Sequence, residues 1–368
     1  MGSKIRVGLV YGGKSGEHEV SLSTAFAVSK EFDYSKYEIK PFYITKQGQW
    51  LAGATLVEAP QKAEDLRLVG DASGQGTTHA ALFSIFAALD GIKHEEQIDV
   101  MFPLLHGTFG EDGTIQGLFE MANIPYVGAG VLASSVGMDK VFMKKAFADA
   151  GLPQCVFRYV TKSDWLKQQE FYLMECEIAL GYPCFVKPAN LGSSVGVSKA
   201  NNRQELIDAI QYAFRYDRKV IIEEFIDGRE VEVAVLGNEE PKASIAGEII
   251  SSNDFYDYKA KYIDGKSTMA IPAPITEEQM NEVREMATRA FLALDGSGLS
   301  RIDFFLERTT GKWYINEANT LPGFTPFSMY PLLWRETGLS YKDLLDELLA
   351  LAFARHAEKQ QLQFTVDE

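Results

Sequence analysis

Ser300-Arg301-Ile302-Asp303-Phe304-Phe305-Leu306-Glu307 and, across Arg308-Thr309-Thr310-Gly311-Lys312, Trp313-Tyr314-Ile315-Asn316-Glu317-Ala318-Asn319-Thr320 decide the reading of this chain. The five-residue stretch between them is turn-like, so the two runs read as an antiparallel hairpin. With Glu307 facing Trp313, Asp303 falls opposite Glu317 and Arg301 opposite Asn319. All four share one face, because side chains on a strand repeat every second residue. Directly opposed carboxylates weaken a sheet unless a cation lies between them. Oxygen ligands without His or Cys point to magnesium or manganese, and magnesium takes its remaining ligands from phosphates and water, which implies a nucleoside triphosphate. The alternative is a solvated polar face. The opposite face, with Ile302, Phe304, Leu306 and Tyr314, is apolar enough to bury the sheet.

At 368 residues the chain exceeds the size at which one core stops growing, so two or three domains are expected. Its net charge of -15 argues against binding to nucleic acid or to an anionic membrane surface. An anionic ligand must then be met by local basic residues. Three cysteines, Cys155, Cys176 and Cys184, lack metal spacing and read as reduced, buried thiols of a soluble cytoplasmic protein. The N-terminus has no signal-peptide core, Arg6 stands where myristoylation needs Ser or Thr, and no apolar run is long enough to insert in a membrane.

Outward from the hairpin, the fold class reads as α/β followed by α+β, in three units. Residues 4–11 form a buried strand ending at Gly12-Gly13, EVSLSTAFAVSKEF a helix, and YEIKPFYI a second strand, the start of a parallel layer. Residues 51–80 are weakly patterned and 98–105 resume the sheet; 113–122 and 134–150 read as helices, the latter closing at Gly151 and Pro153. From 155, strands CVFRYV, YPCFVKPA, GVSKA and VIIEEFI accompany a helix over NRQELIDAIQYAFRYD. VEVAVLG and PKASIAGEII continue an antiparallel sheet, a polar Tyr-rich loop spans 252–268, and helices are expected over 276–295 and 340–360.

Lys187 ends an apolar strand and precedes Pro188-Ala189-Asn190-Leu191-Gly192-Ser193-Ser194-Val195-Gly196. Such a loop can fold its N–H groups over phosphates beside the lysine charge; alone it could equally be a simple hairpin loop, and the hairpin metal face tips the reading to phosphate. No Walker A pattern occurs. Gly128-Ala129-Gly130-Val131-Leu132-Ala133 fits the loose dinucleotide fingerprint but lacks the acid ending a following strand, which argues against a nicotinamide cofactor.

Eight motifs in order, GGKSGEHEVS (12–21), HGTFGEDGTIQG (106–117), MDK (138–140), KPANLGSSVGVSK (187–199), EEFIDGREVEV (223–233), FYDYKAKY (255–262), RIDFF (301–305) and NEANTLPGFTPFSMYP (316–331), closely resemble the D-alanine–D-alanine ligases of the ATP-grasp superfamily. The resemblance implies an N-terminal parallel α/β (pre-ATP-grasp) domain over 1–133 and ATP-grasp subdomains over 134–230 and 231–368. It implies a homodimeric enzyme joining two D-alanines with ATP for peptidoglycan synthesis and cell shape. Kept beside it are a ligase making D-alanyl-D-lactate and a non-catalytic nucleotide-binding module.

By the same resemblance, Asp303, Glu317 and Asn319 match metal ligands for two Mg2+ or Mn2+ ions. Lys140 and Lys187 match lysines on the ATP phosphates, with Ser194 in the mobile loop. Glu223, Glu224, Phe225 and Ile226 lie where the family grips adenine, Glu230 matches the ribose-binding acid, and Lys261 falls near the transferring phosphate. Arg301 and the Gly323 N–H match donors to a tetrahedral oxyanion. Glu17 matches the acid on the first D-alanine's ammonium, which Ser193 and Tyr262 link to the loop. His106, Ser328 and Met329 match the second substrate pocket. Glu17 could instead be a first-turn acid at a helix N-terminus, His106 a turn histidine, and at least two of Tyr256, Tyr258 and Tyr262 loop packing. Glu111 and Asp112, before Gly113, read as a turn and an N-cap rather than a catalytic pair. The YDYKAKY loop is expected to be a lid that excludes water, and Tyr262 favours the dipeptide over the depsipeptide.

Overall fold

The computed structural model describes residues 4–69, 97–250 and 268–363, arranged in three sheets. The first has strand order β3-β2-β1-β4, built from β1 (Ile5–Gly12), β2 (Tyr37–Ile44), β3 (Trp50–Ala52) and β4 (Val100–Pro103). β1 pairs in parallel with β2 and β4, and β3 closes the edge antiparallel. Its alternation is structural: Val7, Leu9 and Tyr11 enter the core beneath α1 (His18–Glu31), whereas Val10 packs on the opposite face with Phe42, Met101 and Phe119. β1 must end in glycine. At φ +91° a Cβ on Gly12 would stand 2.2 Å from the Ile44 carbonyl oxygen.

The short helix α2 (Thr114–Met121) is followed by α3 (Val131–Met138) and α4 (Lys140–Asp149). One helix over 134–150 was expected from the sequence, but Asp139 breaks it. Asp139 takes extended backbone angles and its carboxylate accepts the Val141 and Phe142 amides, so it caps α4 and turns Lys140 toward the loop that carries Leu191. Gly128, of the glycine pattern that mimics a dinucleotide fingerprint, packs against Gly298 and gives its carbonyl to Arg355.

The second sheet, order β5-β8-β6-β7, joins β5 (Phe157–Thr161), β6 (Cys184–Pro188), β7 (Ser198–Ala200) and β8 (Lys219–Glu224), all antiparallel. Trp165, Leu173 and Cys176 of α5 (Lys162–Ala179) and Leu206, Ala209 and Ile210 of α6 (Arg203–Ala213) cover it. The sequence reading assigned no element to 162–179. The helix kinks at Gln168 and leaves Leu166, Phe171, Met174 and Ile178 exposed, which breaks the single apolar stripe that a sequence reader needs. All three cysteines are buried and free.

The third sheet, order β11-β10-β9-β12-β13, comprises β9 (Gly228–Gly237), β10 (Lys242–Ile250), β11 (Thr268–Ala270), β12 (Gly298–Glu307) and β13 (Trp313–Asn319). α7 (Glu277–Ala293) and α4 bury Val283, Ala287, Phe291, Met143 and Phe147 against one of its faces. α8 (Met329–Thr337) and α9 (Tyr341–Lys359) carry Leu333, Leu344, Leu345, Leu348 and Leu349 into the core of the first unit, tying the C-terminal end of the chain to β1.

The hairpin keeps the expected pairs Arg301 with Asn319 and Asp303 with Glu317, but Trp313 faces Leu306 rather than Glu307. The register slips by one residue beyond Asp303, where β13 spends an extra residue as a bulge. Trp313, Ile315 and Ala318 therefore all reach the core, while Tyr314, expected among them, lies on the other side of the sheet opposite Phe305.

Candidate active site

The free face of the third sheet forms the floor of a cleft of about 620 Å³ between the three units. Glu232 of β9, Asp303 of β12 and Glu317 of β13 occupy one cross-strand row. Three carboxylates abreast need compensation. Arg301 supplies part of it: Nε and Nη2 donate to both oxygens of Asp303 at 2.7 Å, and Nε stands 3.0 Å from Glu232. Burial works against the guanidinium charge, but Asp303 and Glu232 outweigh it and hold the proton more firmly than usual. Asn319 Nδ2 donates to Asp303 at 2.9 Å, and Lys140 Nζ lies 3.6 Å from Glu317.

Two further lysines reach this wall from the second unit. Lys187 of β6 pairs with Glu223 at 2.6 Å, and Lys144 of α4, 1% exposed, pairs with the other oxygen of the same carboxylate at 2.8 Å. Burial alone would raise the Glu223 pKa, but the two cations hold it well below the usual carboxylate range. Lys144 also donates to the Cys155 sulfur at 3.4 Å. Lys140 donates to the Leu191 carbonyl at 2.9 Å, tethering the Gly-Ser loop, in which Ser193 and Ser194 both take positive φ (52° and 57°).

The loop closes on the first unit where the Ser193 hydroxyl donates to Glu17, the residue preceding α1. His106 sits behind Glu17, with Nε2 3.3 Å from the Thr24 hydroxyl, and burial lowers its pKa against the pull of Glu17. On the far wall the Gly323 backbone runs close to the Ser328 side chain, where a Cβ would stand 2.9 Å from the hydroxyl oxygen. Ser328 is fixed by the Thr325 amide, which donates to it at 3.0 Å. Glu111 also lines the cleft, and its carboxylate accepts the Gly107 amide at 2.6 Å.

The family models for the D-ala D-ala ligase N-terminus and C-terminus match residues 6–129 and 146–350. The chain belongs to the D-alanine–D-alanine ligase family. A D-alanine–D-alanine ligase of Bacillus cytotoxicus is 55% identical over 99% of this chain and 100% of its own length, and one of Listeria monocytogenes is 50% identical over 99% and 100%. Among solved structures, the Coxiella burnetii D-alanine-D-alanine ligase superposes with TM-score 0.78 at 32% identity, covering 98% of this chain and 97% of that one. A D-Ala:D-Ser ligase from Enterococcus faecalis gives 0.80 at 35%, covering 95% and 100%.

Against this family's use of ATP, the cleft gathers most of the residues singled out in the sequence. Glu17, His106, Lys140, Lys187, Ser193 and Ser194 line it from the first two units. Glu230, Arg301, Asp303, Glu317, Asn319, Gly323, Ser328 and Met329 line it from the third. Glu223 lies behind Lys187 rather than on the surface of the cleft. Beside it, Glu224 accepts the Val156 amide at 2.6 Å, and the exposed Phe225 ring lies beneath Lys199 at 4.8 Å, with Ile226 next in the chain. Lys261 and Tyr262, with the expected lid, fall outside the described residues.

The donor set fits a hard divalent cation in its chemistry, with Asp303, Glu317 and the amide oxygen of Asn319 sharing one face. Among the described residues no three His, Cys, Asp or Glu side chains converge as a ready cage. Three cleft acids escaped the sequence reading: Glu19, Glu111 and Glu232. Glu232 was legible in principle, since its spacing from Glu230 puts both on one strand face. Glu111 was assigned with Asp112 to a turn and an N-cap, and both take part in the turn, Glu111 accepting the Gly107 amide and Asp112 the Phe109 and Thr114 amides; Gly113 rather than Asp112 occupies the cap position of α2, and the turn still leaves Glu111 lining the cleft. No helix among the described residues is long and apolar enough to cross a membrane.

Proposed function

We propose that the protein joins two D-alanines into D-alanyl-D-alanine, releasing ADP and phosphate, in the cytoplasm and as a homodimer. The observation that carries this reading is the meeting, in one cleft, of the Arg301–Asp303 and Glu317 face with the Lys140 and Lys187 wall and the Glu17–Ser193 clasp. In the first step a carboxylate oxygen of one D-alanine attacks the γ-phosphorus of ATP, the bond to the β-phosphate oxygen breaks, and a D-alanyl phosphate remains. Glu17 holds that amino acid's ammonium, and Lys140 and Lys187 hold the phosphates as point charges. Asp303, Glu317 and Asn319 would hold one or two magnesium or manganese ions, which neutralise charge on the phosphate oxygens when bound.

In the second step the amine of the other D-alanine attacks the acyl carbon. The oxygen of the tetrahedral intermediate receives hydrogen bonds from Arg301 and the Gly323 N–H, and phosphate then leaves. The Ser193 hydroxyl orients Glu17, and Ser328 and Met329 wall the second substrate. Glu223, Glu224, Phe225 and Ile226 offer the adenine edge and face, with Glu230 at the ribose. The test is ADP release and dipeptide mass with magnesium and D-alanine, in parallel with D-serine and D-lactate as second substrate. Dipeptide dependent on D-alanine is expected, and Asp303→Ala should abolish it. Release of ADP unaffected by that substitution would remove the metal assignment, and D-lactate preferred at neutral pH would overturn the dipeptide reading.

A further inference from the structure

The second half-reaction leaves a proton unaccounted for. The incoming amino acid arrives as an ammonium, and its nitrogen has no lone pair until one proton has gone. Of the acids in the cleft, Asp303 is locked by Arg301 and Asn319, and Glu17 is committed to the Ser193 hydroxyl. His106 is made a weaker proton acceptor by burial, which lowers its pKa against the opposing pulls of Glu17 and the Leu321 backbone. Glu111 differs from all of these. It stands on a turn made rigid by Asp112, which accepts the Phe109 and Thr114 amides, and by Gln116, whose side chain donates to the Gly110 carbonyl.

Gly107 forms the floor between two carboxyl groups. Its amide donates to Glu111 at 2.6 Å, and the place a Cβ would take lies 2.8 Å from a Glu17 oxygen. At φ +75° and with that clash, only glycine lets both acids approach. Building on the ligase reading, we propose that Glu111 is the general base of amide formation, taking the proton from the second amino acid's ammonium. One proton passes from nitrogen to the Glu111 carboxylate and later to solvent. The freed electron pair forms the C–N bond, the acyl C–O bond to phosphate breaks, and the departing phosphate takes the second nitrogen proton.

The charges around Glu111 support this assignment. Burial comes first and Glu17, at the start of α1, second in raising its pKa. The Gly107 amide, Lys140 at the start of α4 and Arg301 on β12 oppose them, and the balance settles at about 8. A base poised near working pH is the effective one.

Glu111→Gln should lower the rate of dipeptide formation by about 100-fold or more. ATP positional isotope exchange in the presence of D-alanine, which reports the reversible formation of the acyl phosphate, should not fall by more than about threefold from the parent. In the parent the dipeptide rate should climb with pH through about 8, and in Glu111→Gln that climb should be absent, while Glu111→Asp keeps it. A loss below about threefold, a climb that persists in the Gln variant, or an equal fall in both half-reactions would each overturn the assignment. Absence of both isotope exchange and dipeptide in the parent would sink the ligase reading and this one with it.

Discussion

Lys144 shows what a buried charge costs at the scale of one residue. It shares Glu223 with Lys187 and sits 1% exposed, so Lys144→Met leaves a buried carboxylate with one partner in place of two. Removing one member of a buried ion pair costs about 3–5 kcal/mol, and a denaturant midpoint should fall accordingly. Because Glu223 has a depressed pKa when folded, its contribution is present above the unfolded value of 4.5 and fades as pH falls below it; acid unfolding should therefore begin at higher pH in the variant. Glu111 has the opposite sign. Its pKa is raised from 4.5 to about 8, so the folded state binds the extra proton and stability declines as pH climbs through that window. Glu111→Gln should gain thermal stability relative to the parent at pH 9 and lose that advantage at pH 5; a constant difference would refute the assignment of the buried proton. The sequence could not tell Glu111 from Asp112, since a turn acid and a site acid look alike until burial is known. Arg301 and Asp303 were legible because alternate spacing on a strand suffices to place them.

The hairpin carries the argument at the scale of an element. Counting back from the turn with strict alternation gives the right pairs at the site and the wrong one at Trp313, because the bulge in β13 absorbs one residue between Ile315 and Glu317. Without it, Trp313 and Ile315 could not share the core face with Ala318 while Glu317 and Asn319 face the cleft. Deleting Asn316 should therefore force a choice between core and site. We expect the deletion to lose all D-alanine-dependent ADP release and to lower the thermal midpoint, whereas Asn316→Ala keeps the backbone count and stays within about 1 kcal/mol of the parent. A deletion variant with parent-like activity would show that the bulge is dispensable. Bulges leave no composition signal, and neither does the kink that concealed α5.

At the scale of the molecule, the cleft exists because elements distant in sequence are stapled together. α9 drives its leucines into the core beside β1, Arg355 reaches back to the Gly128 and Tyr126 carbonyls, and Ser193 reaches across to Glu17. The three-unit order could be read from the motifs in succession, but the closing contribution of α9 could not, since amphipathic spacing gives a buried face without naming its partner. A ligand that holds all three walls at once should stabilise the whole assembly by linkage, and at one hundred times its dissociation constant the gain is about 2.7 kcal/mol. A non-hydrolysable ATP analogue with magnesium should therefore raise the thermal midpoint by about 3–4 °C. The part of that shift that depends on magnesium should vanish in a Asp303→Asn, Glu317→Gln double variant, while the magnesium-independent part, carried by Lys140 and Lys187, persists. If the double variant keeps the full magnesium-dependent shift, the cation binds elsewhere, and the row formed by Glu232, Asp303 and Glu317 serves only to position Arg301.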